Sequence, residues 1–253
     1  MSKISETFKN RKALITYITA GDPSLEKTEA LFYTLEKAGA DIIELGVPFS
    51  YPLADGPVIQ ASHQRALKKN VSLADVLKLA RNIRKKSEVP LVLMLSDNLI
   101  VRYGIDKFYK DAQKAGVDGV IVPDLPPEER CGEVKTGDLD QIFLVAPTST
   151  DKRIKMITDA SSGFIYLVSL KGVTGKRQAL TPDIGGLVDR VKKYTDKPVA
   201  VGFGISTPQQ AKEAAKYADG VIVGSALVDL VGKKASGAAI TRFVTALRKA
   251  LDA

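Results

Sequence analysis

Eight short apolar runs constrain what this chain can fold into more than any other feature of its sequence. Most of the runs are rich in β-branched residues, and a turn and then a stretch with helical periodicity typically follow a run. Such nearly continuous apolar runs are typical of strands that are buried on both faces of a parallel sheet. The runs are residues 14–19, 41–45, 91–95, 119–122, 142–145, 164–168, 199–202 and 220–223. Eight βα units in 253 residues favour a closed barrel over an open, doubly wound sheet.

The junctions between the predicted helices and strands repeat as well, which supports a repeated βα unit. Ala38-Gly39-Ala40-Asp41 and Ala115-Gly116-Val117-Asp118 each place a glycine, a common residue at helix C-termini, shortly before a strand. The first strand is not followed by a G-x-G-x-x-G segment, which argues against a dinucleotide-binding fold. Because no Pro- or Gly-rich linker divides the chain, we predict one domain that covers residues 1–253.

The composition argues against several classes of function. The net charge is +8, but the basic residues are spread along the chain and only 6% of the residues are aromatic, so nucleic-acid binding is not expected. A solvated surface that attracts an anionic metabolite explains the charge better. No apolar run reaches the ~18 residues of a transmembrane helix, and the start of the chain lacks a secretory signal. With a single cysteine, a cytoplasmic protein that binds no membrane is expected.

The reactive residues narrow the chemistry further. One histidine, His63, and one cysteine, Cys131, cannot form a His/Cys metal site, so no metal is expected. We predict that His63 lies at a helix start and is structural or exposed. None of the eight runs contains a lysine, which argues against a Schiff-base aldolase. Catalysis by carboxylates, without a metal or a cofactor in this chain, is what remains.

Two carboxyl residues lie in and after the second predicted strand. Glu44 is inside the apolar run, where a carboxylate is costly unless it is paired or used in catalysis. One interpretation is a structural residue whose carboxyl group forms a buried hydrogen bond. The other is a general acid–base catalyst at the barrel mouth, with a pKa raised by partial burial. Asp55 comes eleven residues later, before Gly56-Pro57. It is either a simple turn residue or the second member of an acid–base pair.

Long loops and glycines follow the predicted strands, on the face where barrel enzymes have their active sites. Loops 46–60 and 169–183 are longer than the connections require, and the second contains Gly172-Val173-Thr174-Gly175, which could close over a ligand. Gly202-Phe203-Gly204 follows the seventh strand, and Gly224-Ser225 follows the eighth and opens a short helix. Backbone N–H groups of such loops often bind phosphate, and the alternative is that the glycines only form turns. We favour a phosphate site.

Seven sequence blocks, in order along nearly the whole chain, closely resemble the alpha subunit of tryptophan synthase. The most specific pair is Ile43-Glu44-Leu45-Gly46-Val47-Pro48-Phe49-Ser50 and Pro52-Leu53-Ala54-Asp55-Gly56-Pro57. The others are Ile18-Thr19-Ala20-Gly21-Asp22-Pro23, Ala146-Pro147-Thr148, Gly172-Val173-Thr174-Gly175, Gly202-Phe203-Gly204-Ile205 and Val223-Gly224-Ser225-Ala226. Together with the eight runs, the resemblance predicts an α/β protein, a single (β/α)8 TIM barrel with an extra N-terminal helix.

The resemblance implies an activity and a partner. The family cleaves indole-3-glycerol phosphate by a retro-aldol reaction to indole and glyceraldehyde 3-phosphate, in the last stage of tryptophan biosynthesis. The indole passes to a beta subunit, which uses pyridoxal phosphate to make tryptophan. We therefore expect no cofactor in this chain itself and, from the family, an alpha2beta2 heterotetramer.

The resemblance also implies which residues form the site. Glu44 would move protons between C3 of the indole and the glycerol hydroxyl, while Asp55 would hold the indole N–H and stabilise the cation formed when C3 is protonated. Thr174, on the closing loop, would orient Asp55. The other substrate-binding residues would line the pocket or hold the phosphate through backbone groups: Tyr17, Tyr166, Phe203, Gly175, Gly204, Gly224 and Ser225.

Three loops depart from the family pattern. Tyr51 stands where the family usually has Asp, Met94-Leu95-Ser96-Asp97-Asn98-Leu99 where relatives often read Met-Thr-Tyr-Tyr-Asn-Pro, and Ser169-Leu170 where Ser-Arg is usual. In the family these loops contact the beta subunit or govern closure, so we hypothesise altered partner coupling with retained chemistry. The alternative to a lyase is a catalytically weak barrel that mainly binds and activates the beta subunit. A third and more distant alternative is an isomerase that acts on phosphorylated intermediates. Intact Glu44 and Asp55 favour the lyase.

Overall fold

The computed structural model describes residues 2–52, 55–129, 136–168, 184–202 and 204–253. Its centre consists of strands β1 (Ala13–Thr19), β2 (Ile42–Gly46), β3 (Leu91–Met94), β4 (Gly119–Ile121), β5 (Asp140–Ile142), β6 (Leu144–Val145), β7 (Ile165–Val168), β8 (Val199–Gly202) and β9 (Gly220–Val223). Within the described ranges these nine strands form one parallel sheet in the order β5-β4-β3-β2-β1-β9-β8-β7-β6. The predicted α/β barrel is confirmed.

The fifth predicted run is the place where the strand prediction is wrong. Residues 142–145 do not form one strand, because β5 ends at Ile142 and β6 begins at Leu144. β5 pairs with β4 and β6 pairs with β7, so Phe143 alone separates the two ends of the sheet and the barrel is nearly closed. Ile142 packs inside the barrel, whereas Phe143 packs outside it among residues of the surrounding helices. Apolar periodicity does not reveal this break, because each half continues the ladder of a different neighbour.

Helices surround the strands, and six of those in the described ranges begin at a residue whose side chain caps the first turn. The helices are α1 (Lys3–Glu6), α2 (Leu25–Lys37), α3 (Pro57–Leu67), α4 (Leu73–Ile83), α5 (Asp97–Tyr103), α6 (Ile105–Lys114), α7 (Asp151–Ala160), α8 (Ile184–Lys192), α9 (Pro208–Ala215), α10 (Ser225–Gly232) and α11 (Gly237–Asp252). The capping side chains accept a backbone N–H and belong to Ser2, Ser24, Ser72, Thr150, Thr207 and Ser236. A short 3-10 helix covers Pro127–Glu129.

The predicted extra N-terminal helix is α1, and it closes the N-terminal end of the barrel. Its Ile4 side chain has no exposed surface and belongs to the cluster of residues inside the barrel. A Cβ at Gly119, the first residue of β4, would lie 2.7 Å from Ile4 Cδ1, so the absence of a side chain at Gly119 leaves room for the Ile4 side chain. The open end of the barrel is therefore the C-terminal end of the strands.

Alternation along the strands determines which side chains reach that open end. Ile15 of β1 and Ile42 of β2 belong to the apolar cluster inside the barrel, while every second residue packs outward. The next interior positions are Tyr17 and Glu44, close to the C-terminal ends of their strands. The fold thus sets these two side chains next to each other above an apolar floor.

No helix within the described ranges is long and apolar enough to cross a bilayer. Among the same residues, no group of three His, Cys, Asp or Glu side chains could hold a metal ion. The assignment of residues 1–253 to one domain stays a prediction.

Candidate active site

Glu44 lies on the interior face of β2, next to Tyr17, its partner in the parallel register with β1. Its side chain is fully buried, and neither carboxyl oxygen has a hydrogen-bond partner among the described residues. Burial raises the pKa of Glu44 to about 8. The described part of the chain therefore does not supply the buried hydrogen bond that a purely structural role would require. Near neutral pH this side chain is mostly a protonated acid.

A buried tyrosine and a partly buried one accompany Glu44. Tyr17 lies on β1 and Tyr166 on β7, and burial raises the pKa of both phenols well above the usual value of 10.0. The charge of Asp55 raises the pKa of Tyr17 further, and the charge of Glu44 raises that of Tyr166 further. Because such interactions fall with distance, the four side chains share one region of the barrel. Both phenols stay neutral at any physiological pH.

Glycines make room for the two tyrosine rings. A Cβ at Gly46 would lie 2.0 Å from Tyr17 Oη, and a Cβ at Gly202 would lie 2.9 Å from Tyr166 Oη. Both distances are too short for real atoms, so the last residues of β2 and β8 must lack a side chain for the rings to lie where they do.

Asp55 reaches this region from the loop between β2 and α3. Its backbone N–H donates to the Pro52 carbonyl at 3.1 Å, and its own carbonyl accepts from Gln60 Nε2 at 2.8 Å. Its carboxyl group lines a cavity of about 200 Å³ at the C-terminal end of the barrel, and 29% of its side chain is exposed. The loop therefore returns over the barrel mouth, and the catalytic role of Asp55 stays a prediction.

The cavity contains some of the predicted site residues but not all of them. Its lining consists of Tyr17, Val47, Phe49, Tyr51, Pro52, Asp55, His63, Met94, Leu95, Ser96, Pro123 and Asp124. The buried Glu44 and the partly buried Tyr166 are not part of this lining. Because Glu44 has no exposed surface, contact between its carboxyl group and a bound ligand requires a movement of a neighbouring side chain.

The predicted phosphate-binding residues are partly within the described ranges. Gly204 has a φ of 65°, which favours glycine, and nothing among the described residues lies within 4 Å of where a Cβ would be. Gly224 precedes α10, Ser225 is its first residue, and no side chain of the described ranges caps this N-terminus. Uncapped N–H groups at a helix start are suited to an anion. The residues Thr174, Gly175 and Phe203 lie outside the described residues.

The prediction that His63 lies at a helix start is wrong, and the residue is buried rather than exposed. α3 begins at Pro57, where proline is favoured in the first turn, so His63 falls in the middle of the helix and is buried. It lines the cavity, and its Nε2 lies 3.2 Å from Asp55 Oδ2. Helical spacing could have revealed this, because Ile59, His63 and Ala66 are three or four residues apart and all are buried.

Two of the three loops that depart from the family pattern border the cavity. Tyr51 is 75% exposed at its rim. Ser96 Oγ donates to Asp124 Oδ2 at 2.5 Å, and the Asp97 N–H donates to Asp124 Oδ1 at 2.9 Å. Ser96 and Asp97 thereby hold Asp124, which forms part of the cavity wall. Leu170 lies outside the described residues.

The buried carboxyl of Glu44 is expected to make stability depend on pH. The pKa of Glu44 is about 8 in the folded chain, against an ordinary value of 4.5 once the chain unfolds. Between these values the folded chain binds more protons at this residue than the unfolded chain, so the free energy of unfolding falls as the pH rises. Glu44→Gln removes this dependence. As the pH rises, its free energy of unfolding is expected to exceed that of the wild type by a growing amount, up to a few kcal/mol, at roughly 1.4 kcal/mol per pH unit at most.

Denaturant unfolding of the wild type and Glu44→Gln at about pH 5 and about pH 8.5 measures this difference, since all other titrating groups cancel between the two chains. Parallel pH dependence of the two unfolding free energies would show that burial does not raise the pKa of Glu44.

The comparisons with known proteins agree on one family. The family model described as "Tryptophan synthase alpha chain" matches residues 4–250. The tryptophan synthase alpha chain of Thermoanaerobacter sp. is 51% identical over 241 residues, with 92% of each chain covered. That of Dehalococcoides mccartyi is 48% identical over 255 residues, with 100% of each chain covered. The crystal structure of tryptophan synthase subunit alpha from Legionella pneumophila is 38% identical and has a TM-score of 0.88, with 100% of this chain and 99% of that chain covered.

These matches span nearly the whole barrel, including the strand that carries Glu44 and the loop that carries Asp55. The expected resemblance is confirmed at the level of sequence and of structure. The chain belongs to the tryptophan synthase alpha chain family, which cleaves indole-3-glycerol phosphate.

Proposed function

We propose that this chain cleaves indole-3-glycerol phosphate with Glu44 and Asp55 as its acid–base pair. The observation that carries the proposal is the Glu44 carboxyl, which is buried, has no partner among the described residues, and has a pKa raised by burial to about 8. A carboxyl whose pKa is close to the working pH is suited both to giving and to taking a proton. Asp55 supplies a second carboxyl in a more exposed environment at the same barrel mouth.

In this mechanism Asp55 accepts a hydrogen bond from the indole N–H. Protonated Glu44 delivers its proton to C3 of the indole, and the negative charge of Asp55 stabilises the positive charge that spreads over the ring. The Glu44 carboxylate then takes the proton of the hydroxyl on the carbon attached to C3. The bond between that carbon and C3 breaks, its electron pair restores the aromatic ring, and the carbon becomes the aldehyde of glyceraldehyde 3-phosphate.

The remaining site residues are proposed to hold the substrate. The uncapped start of α10 and the open backbone at Gly204 support a phosphate position on this side of the mouth. By family resemblance, Thr174 orients Asp55, and the residues that contact phosphate or the indole are Tyr17, Tyr166, Gly175, Phe203, Gly204, Gly224 and Ser225.

A beta subunit is the partner of an alpha chain of tryptophan synthase. We propose that the assembly is an alpha2beta2 heterotetramer, that pyridoxal phosphate is held by the beta subunit alone, and that this chain needs no cofactor. A biosynthetic role supports a cytoplasmic location. A catalytically weak barrel that only activates the beta subunit is not favoured, because the chain retains both carboxyl residues and matches the family along its length.

The purified protein is expected to release indole and glyceraldehyde 3-phosphate in equal amounts from indole-3-glycerol phosphate, without added metal or pyridoxal phosphate. Both products are measured, with and without a beta subunit. The departures at Tyr51 and Ser96-Asp97 lead to a second expectation if they alter partner coupling. A beta subunit from another organism will then activate indole release by this chain less than it activates indole release by the alpha chain of that same organism.

Strong activation by such a beta subunit would overturn the hypothesis of altered coupling. A protein that activates the beta subunit but releases no indole under either condition would establish the catalytically weak barrel instead.

A further inference from the structure

His63 makes three polar contacts at the floor of the cavity. Its Nδ1 accepts the backbone N–H of Phe49 at 3.0 Å. Its Nε2 lies 3.2 Å from Asp55 Oδ2 and 3.4 Å from Tyr17 Oη. The ring is buried and comes from α3, whereas Phe49 and Asp55 lie near opposite ends of the loop between β2 and α3. One side chain therefore contacts both ends of this loop.

The contact with Phe49 determines which nitrogen of the neutral ring carries the proton. A backbone N–H can only donate, so Nδ1 must present its lone pair to Phe49. In the neutral imidazole the proton is then on Nε2. Nε2–H is then the group that lies close to Asp55 Oδ2, at 3.2 Å, and to Tyr17 Oη, at 3.4 Å.

The hydroxyl groups below the ring lead to the same assignment. Ser62 Oγ donates to the Ile59 carbonyl at 2.6 Å, so Thr19 Oγ1 donates to Ser62 Oγ, also at 2.6 Å. Thr19 Oγ1 is then left to accept from Tyr17 Oη, at 3.4 Å. The phenol proton points away from His63, and the oxygen of Tyr17 offers lone pairs to Nε2–H. Both neighbours of Nε2 are thus acceptors.

We propose that His63 is a positioning residue for Asp55: its neutral ring donates from Nε2 to Oδ2 and leaves Oδ1 of the carboxylate for the indole N–H. A neutral donor orients the carboxylate without cancelling the negative charge that must stabilise the cation at C3 protonation. The contact also supports Asp55 from α3, which reduces the conformational freedom that the Asp55 side chain loses when substrate binds. The inference rests on the proposed role of Asp55.

Two variants of His63 separate this role from a structural one, because each keeps one half of the ring's hydrogen bonding. Gln places its amide group near the position of Nε2 and can still donate to Asp55, but it loses the acceptor for Phe49. Asn places its amide group near the position of Nδ1 and can still accept from Phe49, but it loses the donor to Asp55. Both are neutral, polar and compatible with a helix.

His63→Asn is expected to lower kcat for indole release by roughly 10- to 100-fold with KM changed less than about threefold, while His63→Gln stays within about fivefold of the wild type. Thermal unfolding of both variants reports the structural cost separately. The reverse order, with Asn active and Gln impaired, would show that His63 serves the Phe49 backbone and would overturn the proposal. Equal losses of activity in the two variants would overturn it as well.

Combination with Asp55→Asn shows whether His63 acts through Asp55. In single-turnover measurements at high enzyme concentration, His63→Asn is expected to add little to the loss caused by Asp55→Asn, because residues that act as one unit are not additive. Fully additive losses would contradict the proposal. Wild-type activity of Asp55→Asn would instead overturn the proposed acid–base pair, so the two failures are distinguishable.

Discussion

Replacing Glu44 with Gln is expected to lower kcat for indole release by about 10²- to 10⁴-fold, the range that a positioned general acid–base contributes. Gln has nearly the same shape as Glu but neither gives a proton to C3 nor takes one from the glycerol hydroxyl. The loss cannot be attributed to unfolding, because a neutral side chain in this buried position is expected to stabilise the chain above pH 4.5, the ordinary pKa of a glutamate. Steady-state kinetics and thermal unfolding at the same pH measure both quantities.

Glu88→Gln is the matched control for this variant. Glu88 is 86% exposed and forms an ion pair with Lys3, at the end of the barrel opposite the cavity. The same chemical change there is expected to leave kcat within about twofold of the wild type, as is usual for surface substitutions. Full activity of Glu44→Gln would show that Glu44 is not the acid–base residue.

Asp55→Asn is expected to lower kcat by roughly 10²- to 10³-fold, the typical loss when one preorganised electrostatic partner of a transition state is removed. The amide has no negative charge to stabilise the cation formed at C3. KM should change less than kcat, because the charge develops only after the substrate has bound. Stability should change little, since the Asp55 side chain is 29% exposed in a surface loop.

Asp159→Asn is the control for the second variant. Asp159 is an exposed residue of α7 that pairs with Lys155 one helical turn away. The kcat of Asp159→Asn for indole release is expected to equal that of the wild type within about twofold. If Asp55→Asn were as active as this control, the negative charge of Asp55 would have no part in the reaction.

Most of the barrel could be predicted from local patterns. Seven of the eight apolar runs correspond to single strands, because a strand buried on both faces needs apolar residues at nearly every position. The run over residues 142–145 could not be divided in the same way, since β5 and β6 differ in their pairing neighbours rather than in composition. The composition of a single apolar run does not show which distant strand each of its residues pairs with.

The candidate site could be predicted from the sequence where the chemical character of a single residue differed from that of its neighbours in the chain. Glu44 is a carboxyl in an apolar strand, and Asp55 gained significance only from its distance along the chain to Glu44. His63 could be placed on the buried face of α3 by its spacing, but its contact with Asp55 depends on how the loop before α3 returns to the barrel.

The sequence by itself determined that this chain is a (β/α)8 barrel and that Glu44 faces its interior, because the two-residue period of a strand assigns each side chain to a face. Its family blocks determined the substrate class. The tertiary structure decided that Glu44 is fully buried without a partner among the described residues, that Asp55 instead lines the cavity, and that His63 contacts it. These features depend on distances between segments that are separate in the chain, and such distances arise only when the strands close and the loops pack over their ends.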